Sequence, residues 1–443
     1  MKKRLFFLAN IIYILFFSII ANSYILVKNN INFLFFAIPV FAFINLFAGI
    51  FCIKVKSIRL RICYHGAVML SFFVPSVIIS VIYHIVIAVV TIPDNYMTLV
   101  WSAVVCICVQ SVLFWNGIIC VYLTSYQMGI KQRVIGALCG MIPIVNLIVL
   151  RKIIKTVLLE VEIECEKERV NIAREANQLC KTRYPLLLVH GVFFRDNKFF
   201  NYWGRIPKEL IRNGAVIFYG NHQSAASIAD SANELAQRIK QIVEETGCEK
   251  LNIIAHSKGG LDCRYALDKL NVSQYVASLT TVNTPHRGCL FADYLLEKID
   301  DDFKNKVAAT YNRALKKLGD KNPDFLAAVN NLTDEFCQKF DDETPLPDGV
   351  YCQSIGSVMK KGSSGSFPLN FTYHLAKFFD GENDGLVSEQ SFKWSENYIL
   401  VTNEQKKGIS HADIIDLSRE NIDGFDVREF YVELVNDLKE RGL

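Results

Sequence analysis

Acidic side chains are almost missing from the first 150 residues: Asp94 is the only Asp or Glu there, and it lies between two apolar stretches. A segment so poor in carboxylates is no ordinary water-facing domain. Paired cysteines are missing as well. Six of the 13 Cys fall in this first part, and the seven that follow (Cys165, Cys180, Cys248, Cys263, Cys289, Cys337 and Cys352) show no disulfide or metal-type spacing. That excludes a disulfide scaffold or zinc module and fits reduced thiols in the cytosol. Clustered base is missing from the second part. Residues 1–160 hold 13 Lys/Arg and 2 Asp/Glu, a balance of +11, and the remainder holds 35 against 42, a balance of −7, which together give the net +4. A second part with excess acid excludes nucleic acid as its partner. With 51% apolar and 21% charged residues, disorder and collagen are excluded too.

Five long apolar stretches occupy the first part: about Leu5 to Val27, Phe33 to Ile53, Ala67 to Val90, Leu99 to Leu123 and Val134 to Leu150. The first four are long enough to cross a bilayer. Met1-Lys2-Lys3-Arg4 before the first stretch has the form of a secretory signal, and three further spans make it a signal-anchor. Lys54, Lys56, Arg59 and Arg61 crowd one connector and Lys131 and Arg133 another, whereas Lys28 and Asp94 nearly cancel on the alternate side. The positive-inside rule then places the N-terminus inside the cell. The fifth stretch is broken by Gly136, Gly140, Pro143 and Asn146 and runs into Arg151, Lys152 and Lys155. A fifth span would put those bases outside; the rule favours a re-entrant or interfacial element, which leaves the second part in the cytoplasm. No ionisable pair within the spans marks a transport pathway. The expected organisation is a multi-pass membrane domain over 1–150, one charged helix over 151–180, and a separate domain over 181–443.

From Tyr184 the pattern turns to strand, turn and helix in repetition. Strands are expected at Pro185 to Val189, Ala215 to Tyr219 and Leu251 to Ile254, and helices around Ile228 to Glu245 and Gly259 to Leu270. Continuous apolar strands alternating with helices mean a parallel α/β sheet covered on both faces. At the end of the third strand stands Ala255-His256-Ser257-Lys258-Gly259-Gly260. This is a nucleophile elbow with Ala in the first glycine position, a turn that lifts a serine hydroxyl above the sheet.

A serine is a poor nucleophile without a base, and the elbow predicts an acid and then a histidine later in the chain. Of His286, His374 and His411, only His411 lies in a polar loop near the end, in Gly408-Ile409-Ser410-His411-Ala412-Asp413. Asp384, in the turn Gly381-Glu382-Asn383-Asp384-Gly385-Leu386-Val387, is the candidate acid, with Asp380 and Glu382 as rivals. An oxyanion hole needs preorganised backbone N–H groups. Val192, after His190-Gly191, supplies one and Lys258 the other. His190 is expected to orient the loop by hydrogen bonding, and the Lys258 side chain is expected to be exposed and incidental.

These residues together resemble the bacterial true lipases, the triacylglycerol hydrolases of the α/β-hydrolase superfamily. The resemblance covers Tyr184 to His411 and includes Tyr202-Trp203-Gly204-Arg205-Ile206-Pro207, Tyr219-Gly220-Asn221-His222, Thr284-Pro285-His286-Arg287-Gly288 with Phe291-Ala292-Asp293, and Asn383-Asp384-Gly385. It implies a Ser257, Asp384, His411 triad, Val192 and Lys258 as oxyanion donors, and long-chain ester substrates. The fold it implies is an α/β-hydrolase fold with a helical lid, here preceded by an all-α transmembrane helical domain. In many of these lipases a structural calcium sits near the catalytic histidine. Asp413 matches one ligand, yet Met359 to Phe379, where the other acid belongs, holds no Asp or Glu. No cofactor is needed for the hydrolysis. Between Leu290 and Asp348 lies a helical insertion in which Phe303, Val307, Tyr311 and Leu315 form one apolar face, in the place of a lid. Two other functions stay open on the same residues: an acyltransferase passing the acyl group to an alcohol, and an inactive scaffold that keeps the fold.

Overall fold

The computed structural model describes residues 2–27, 31–140, 142, 144–192, 201–298, 300–404 and 407–443; Lys28 and Pro143, used above in reading the connectors and the fifth stretch, lie outside them. The chain divides into two compact units, 1–172 and 173–443.

The first unit is helical. Its helices are Lys2–Ala21, Ser23–Leu26, Ile31–Phe47, Ile58–Thr124, Ile130–Cys139 and the start of Val145–Arg174. Helical backbone is continuous over the 67 residues from Ile58 to Thr124, yet the run doubles back on itself. His84 Nε2 lies 3.1 Å from Ser102 Oγ, Gln110 Nε2 lies 2.8 Å from Ser76 Oγ, and the Phe73 and Phe114 rings are 5.3 Å apart. In a straight helix residues 73 and 114 would be separated by ~60 Å. Two antiparallel arms, Ile58–Val90 and Tyr96–Thr124, are therefore packed together, and both are long and apolar enough to cross a membrane. The two other expected spans form shorter apolar helices, Asn10–Ala21 and Asn32–Phe47.

This unit buries polar side chains beside apolar ones: Ser18, Asn22, Ser76, Ser80 and Gln110 are buried along with Phe17, Met69, Leu70 and Leu113, whereas Phe35, Phe36, Ile85, Val89 and Ile107 are exposed. Asn22 Nδ2 reaches Ser80 Oγ at 2.9 Å, so the helices join through polar bonds as well as through the cluster of Phe17, Met69, Phe72 and Leu113, and large apolar side chains remain on the outside. The fifth apolar stretch, read above as broken, is divided between Ile130–Cys139 and a helix that begins at Val145. Gly140 and a positive φ at Ile144 fall in the break. The charged helix expected over 151–180 is correspondingly displaced. It spans Val145–Arg174 and is followed by a short 3-10 turn and a left-handed residue at Gln178.

Among the described residues the second unit is built on six strands: β1 (Leu186–Val189), β2 (Ile217–Tyr219), β3 (Leu251–His256), β4 (Val276–Val282), β5 (Tyr351–Ser357) and β6 (Tyr398–Val401). They pair in parallel in the order β2-β1-β3-β4-β5-β6. Successive side chains of a strand point to opposite faces. Leu186 and Leu188 accordingly enter one apolar cluster with Ile254 and Tyr431, while Leu187 and Val189 enter another with Ile253 and Leu235. The strand order reverses between β1 and β3, and a parallel sheet opens a crevice beyond the carboxyl ends of its strands at such a point. His190-Gly191-Val192 follows β1 and Ser257 follows β3, so both candidate segments meet there. The insertion is helical, as expected, with Leu290–Lys298, Asp301–Leu318, Phe325–Asn330 and Asp334–Glu343.

Candidate active site

Ser257 joins β3 to the helix Lys258–Lys269 with φ 55° and ψ −135°, a conformation that L residues rarely adopt. The surrounding packing holds it there. A Cβ on Gly259 would lie 2.4 Å from the His190 carbonyl oxygen, and a Cβ on Gly191 would lie 2.7 Å from Ser257 Cβ. The elbow and the end of β1 therefore approach as closely as backbone allows. Lys258 N–H, at the first position of its helix, has no intrahelical acceptor. Neither it nor Val192 N–H makes a hydrogen bond to another described residue.

Asp384 is fully buried, and both of its carboxylate oxygens accept hydrogen bonds. Its Oδ1 accepts from Leu386 N at 2.9 Å and Val387 N at 2.8 Å, a turn closed by Gly385 at φ 104°. Its Oδ2 accepts from His411 Nδ1 at 2.5 Å and Asn283 Nδ2 at 2.6 Å. The His411 backbone N–H donates to the Asp384 carbonyl at 2.9 Å, so the imidazole is held to this turn at two points. Asp384 alone among the three candidate acids bonds His411; Glu382 pairs with Lys377 at 3.1 Å, and Asp380 ends the helix Leu369–Asp380.

His411 and Ser257 open onto one cavity of about 740 Å³, together with Val192, although no hydrogen bond joins Ser257 Oγ to His411 among the described residues. His256 stands beside them. Its ring is 4.5 Å from that of His411, and its Nδ1 lies 2.7 Å from the Tyr202 hydroxyl. Burial, and then the neighbouring His411, push the His256 imidazole well below its ordinary range and keep it neutral. The rest of the wall is mostly apolar. Phe303, Val307 and Tyr311 of the insertion line it, as do Leu369 and Leu386. Leu315, the fourth member of the expected apolar face, is instead buried with Ala225 and Ala328.

The Lys258 side chain corrects the expectation of exposure: it is 1% exposed. Its stem runs inward, where Nζ bonds Asp262 and Ser231. Asp413 bonds within its own loop. Its Oδ2 accepts from Ser410 N at 3.1 Å and Ser410 Oγ at 2.7 Å, which locks the His411 loop. Burial raises its carboxyl, and the Ser410 bonds oppose that rise. Among the described residues no cluster of three His, Cys, Asp or Glu side chains could hold a cation. With Asp413 as the one matching acid and no Asp or Glu between Met359 and Phe379, the donor set does not fit calcium, which takes about six to eight oxygens.

Asn283 and Asp262 were not singled out by sequence reasoning, and Tyr202 and His222 entered only as parts of motifs, with no role assigned. For Asn283 a signal was present, since an Asn directly after a buried strand suits the left-handed φ of 45° it adopts.

The family described as "Putative serine esterase (DUF676)" matches residues 205–331. The chain is 36% identical to a triacylglycerol lipase of Pseudarthrobacter phenanthrenivorans over 171 residues, which are 36% of this chain and 53% of that protein. It is 28% identical to a triacylglycerol lipase of Pseudomonas fragi over 302 residues, covering 59% and 98%. The crystal structure of Bacillus licheniformis lipase BlEst2 in its mature form overlaps 57% of this chain and 91% of its own at 23% identity, with a TM-score of 0.43. The chain spans about half the length of the Pseudarthrobacter relative and of a Burkholderia plantarii triacylglycerol lipase, at 53% and 47%. With the parallel sheet, the family match and the lipase relatives support an α/β-hydrolase, lipase-like family for the second unit.

Proposed function

We propose that the protein is a membrane-anchored serine ester hydrolase acting on lipid carboxylic esters. The observation that carries this reading is the Asp384–His411 bond, with His411 opening onto the same cavity as Ser257, which is held in an elbow conformation. Asp384 fixes the His411 tautomer with the proton on Nδ1, which leaves Nε2 as the base. In the reaction Ser257 Oγ attacks the acyl carbonyl and gives its proton to Nε2, a contact that tightens with substrate in place. The carbonyl oxygen becomes an oxyanion, held by the N–H groups of Val192 and Lys258. His411 returns the proton to the departing alcohol, and water admitted to the same base releases the acid. The apolar wall formed by Phe303, Val307 and Leu386 takes the acyl chain, and the Asp301–Leu318 helix acts as a lid over it.

Anchoring rests on the first unit, whose two long apolar arms carry exposed hydrocarbon such as Ile82, Ile85, Val89, Val90, Ile107 and Trp115. Such a surface is stable against acyl chains and unstable against water. The reading places four spans in the bilayer, the basic connectors and residues 181–443 on the cytoplasmic side, and the site within reach of that leaflet. Protease protection checks this: residues 181–443 should be digested in sealed inside-out vesicles and protected in right-side-out ones. The chemistry is checked by Ser257→Ala, which should abolish turnover of a medium-chain nitrophenyl ester while the thermal midpoint stays near wild type. Retained turnover would remove the mechanism.

A further inference from the structure

A buried charged chain stands directly behind the elbow. Lys258 Nζ donates to Asp262 Oδ1 at 2.6 Å and to Ser231 Oγ at 3.1 Å. On the other side of the carboxylate, Asp262 Oδ2 lies 3.5 Å from His222 Nε2. The His222 ring lies flat on that of His190, with centroids 4.1 Å and planes 6° apart. His190 Nδ1 is in turn 2.9 Å from the Gly191 carbonyl oxygen, one residue before Val192. All five side chains are at most 2% exposed. They come from four places in the fold: the end of β1, the loop after β2, the Ile228–Thr246 helix and the Lys258–Lys269 helix.

Stability is a poor reason for such a chain. Desolvation cancels most of the attraction in a buried ion pair, and apolar side chains of similar volume often serve as well or better. Direction is what apolar packing lacks. The chain begins on the residue whose N–H is one oxyanion donor and ends beside the residue that carries the other. An oxyanion hole works only if both donors are already aimed where the charge develops.

We propose that Lys258, through its side chain, Asp262 and His222 are positioning residues that hold the Lys258 and Val192 N–H groups at one separation. This deepens the hydrolase reading and rests on it. The donors act on the tetrahedral species and far less on the ground-state ester, so weakening their support should cost kcat and spare KM.

The test is the double variant Lys258→Met, Asp262→Leu in the full-length chain. It removes both charges, strands neither, and keeps the backbone N–H at 258. For the nitrophenyl ester it should lower kcat by ~10-fold or more, with KM within about twofold and a thermal midpoint near wild type. Affinity for an alkyl boronic acid, which forms a tetrahedral adduct on the serine, should fall by about the same factor. Should the double variant fail to fold, His222→Phe, which keeps the ring stack and cuts the link to Asp262, carries the same expectation at ~3-fold or more. Wild-type kcat and boronate affinity overturn the proposal, as does a loss of kcat that merely follows a loss of folded protein. Ser257→Ala separates the two levels. If that variant stays active the hydrolase reading fails; if it is inactive and the positioning variants behave as wild type, only the positioning role fails.

Discussion

The amide of Asn283 lies 2.6 Å from Asp384 Oδ2, the oxygen that also receives His411. Asn283 Nδ2 is anchored from behind by Ser357 Oγ at 2.7 Å, so β4 and β5 together aim the carboxylate. Asn283→Ala removes one of two bonds to that oxygen and leaves the acid in place. It should lower kcat by ~10-fold and destabilise the fold by ~1–3 kcal/mol, read by ester kinetics and thermal unfolding. Asp384→Asn, which spoils the tautomer, should cost ~10⁴-fold. Equal losses in Glu382→Gln would show that the wrong carboxylate has been assigned.

Backbone contact at the elbow makes a second prediction. The His190 carbonyl occupies the space a side chain at 259 would need, and backbone cannot swing aside as a flexible side chain can. Gly259→Ala should therefore separate Ser257 from the Val192 N–H. Activity should fall by ~100-fold or more, in line with the loss of an oxyanion donor, together with a lower thermal midpoint. Wild-type activity in this variant would mean that the close approach of β1 to the elbow has no bearing on catalysis.

A third prediction concerns acid stability. Burial raises the Asp262 carboxyl from 3.8 to about 6, against the opposing pull of Lys258 and then His190. Between those values the folded protein holds a proton there that the unfolded chain has released. The contribution to stability is therefore full below about pH 4 and is lost as pH rises through about 6, by ~3 kcal/mol at most. Thermal midpoints of the wild type minus those of Asp262→Asn, in one detergent from pH 4 to 7.5, should decline across that window. A difference that grows with pH contradicts the assignment.

The sheet and the elbow were legible because each rests on local pattern. Runs such as Leu186 to Val189 report burial on both faces, and a small-x-Ser-x-small turn between strand and helix has few other uses. His411 and Asp384 could be proposed by chain order and loop character. What the sequence concealed was the third dimension of polar groups. Little that is local tells that Lys258 points inward: Asp262 lies one helical turn on, but Ser231, which also receives its Nζ, lies 27 residues upstream, and His222, which meets Asp262, comes from another loop, so the cluster forms only after the strands are ordered. The bonds from Ser410 to Asp413 span only three residues, yet nothing in the loop sequence announces them. In the first unit hydropathy located the long arms and Gly140 marked the break in the fifth stretch, whereas the positive φ at Ile144, a β-branched residue, had no signal.

The most direct measurement is the site of covalent capture. A fluorophosphonate reacts with a serine only where a base activates it and donors stabilise the resulting oxygen. Incubated with the folded full-length chain, it should leave a single adduct on the peptide containing Ser257, absent from Ser257→Ala and strongly slowed in His411→Ala. A folded wild-type chain that takes up no probe, or takes it up on another residue, would contradict the account.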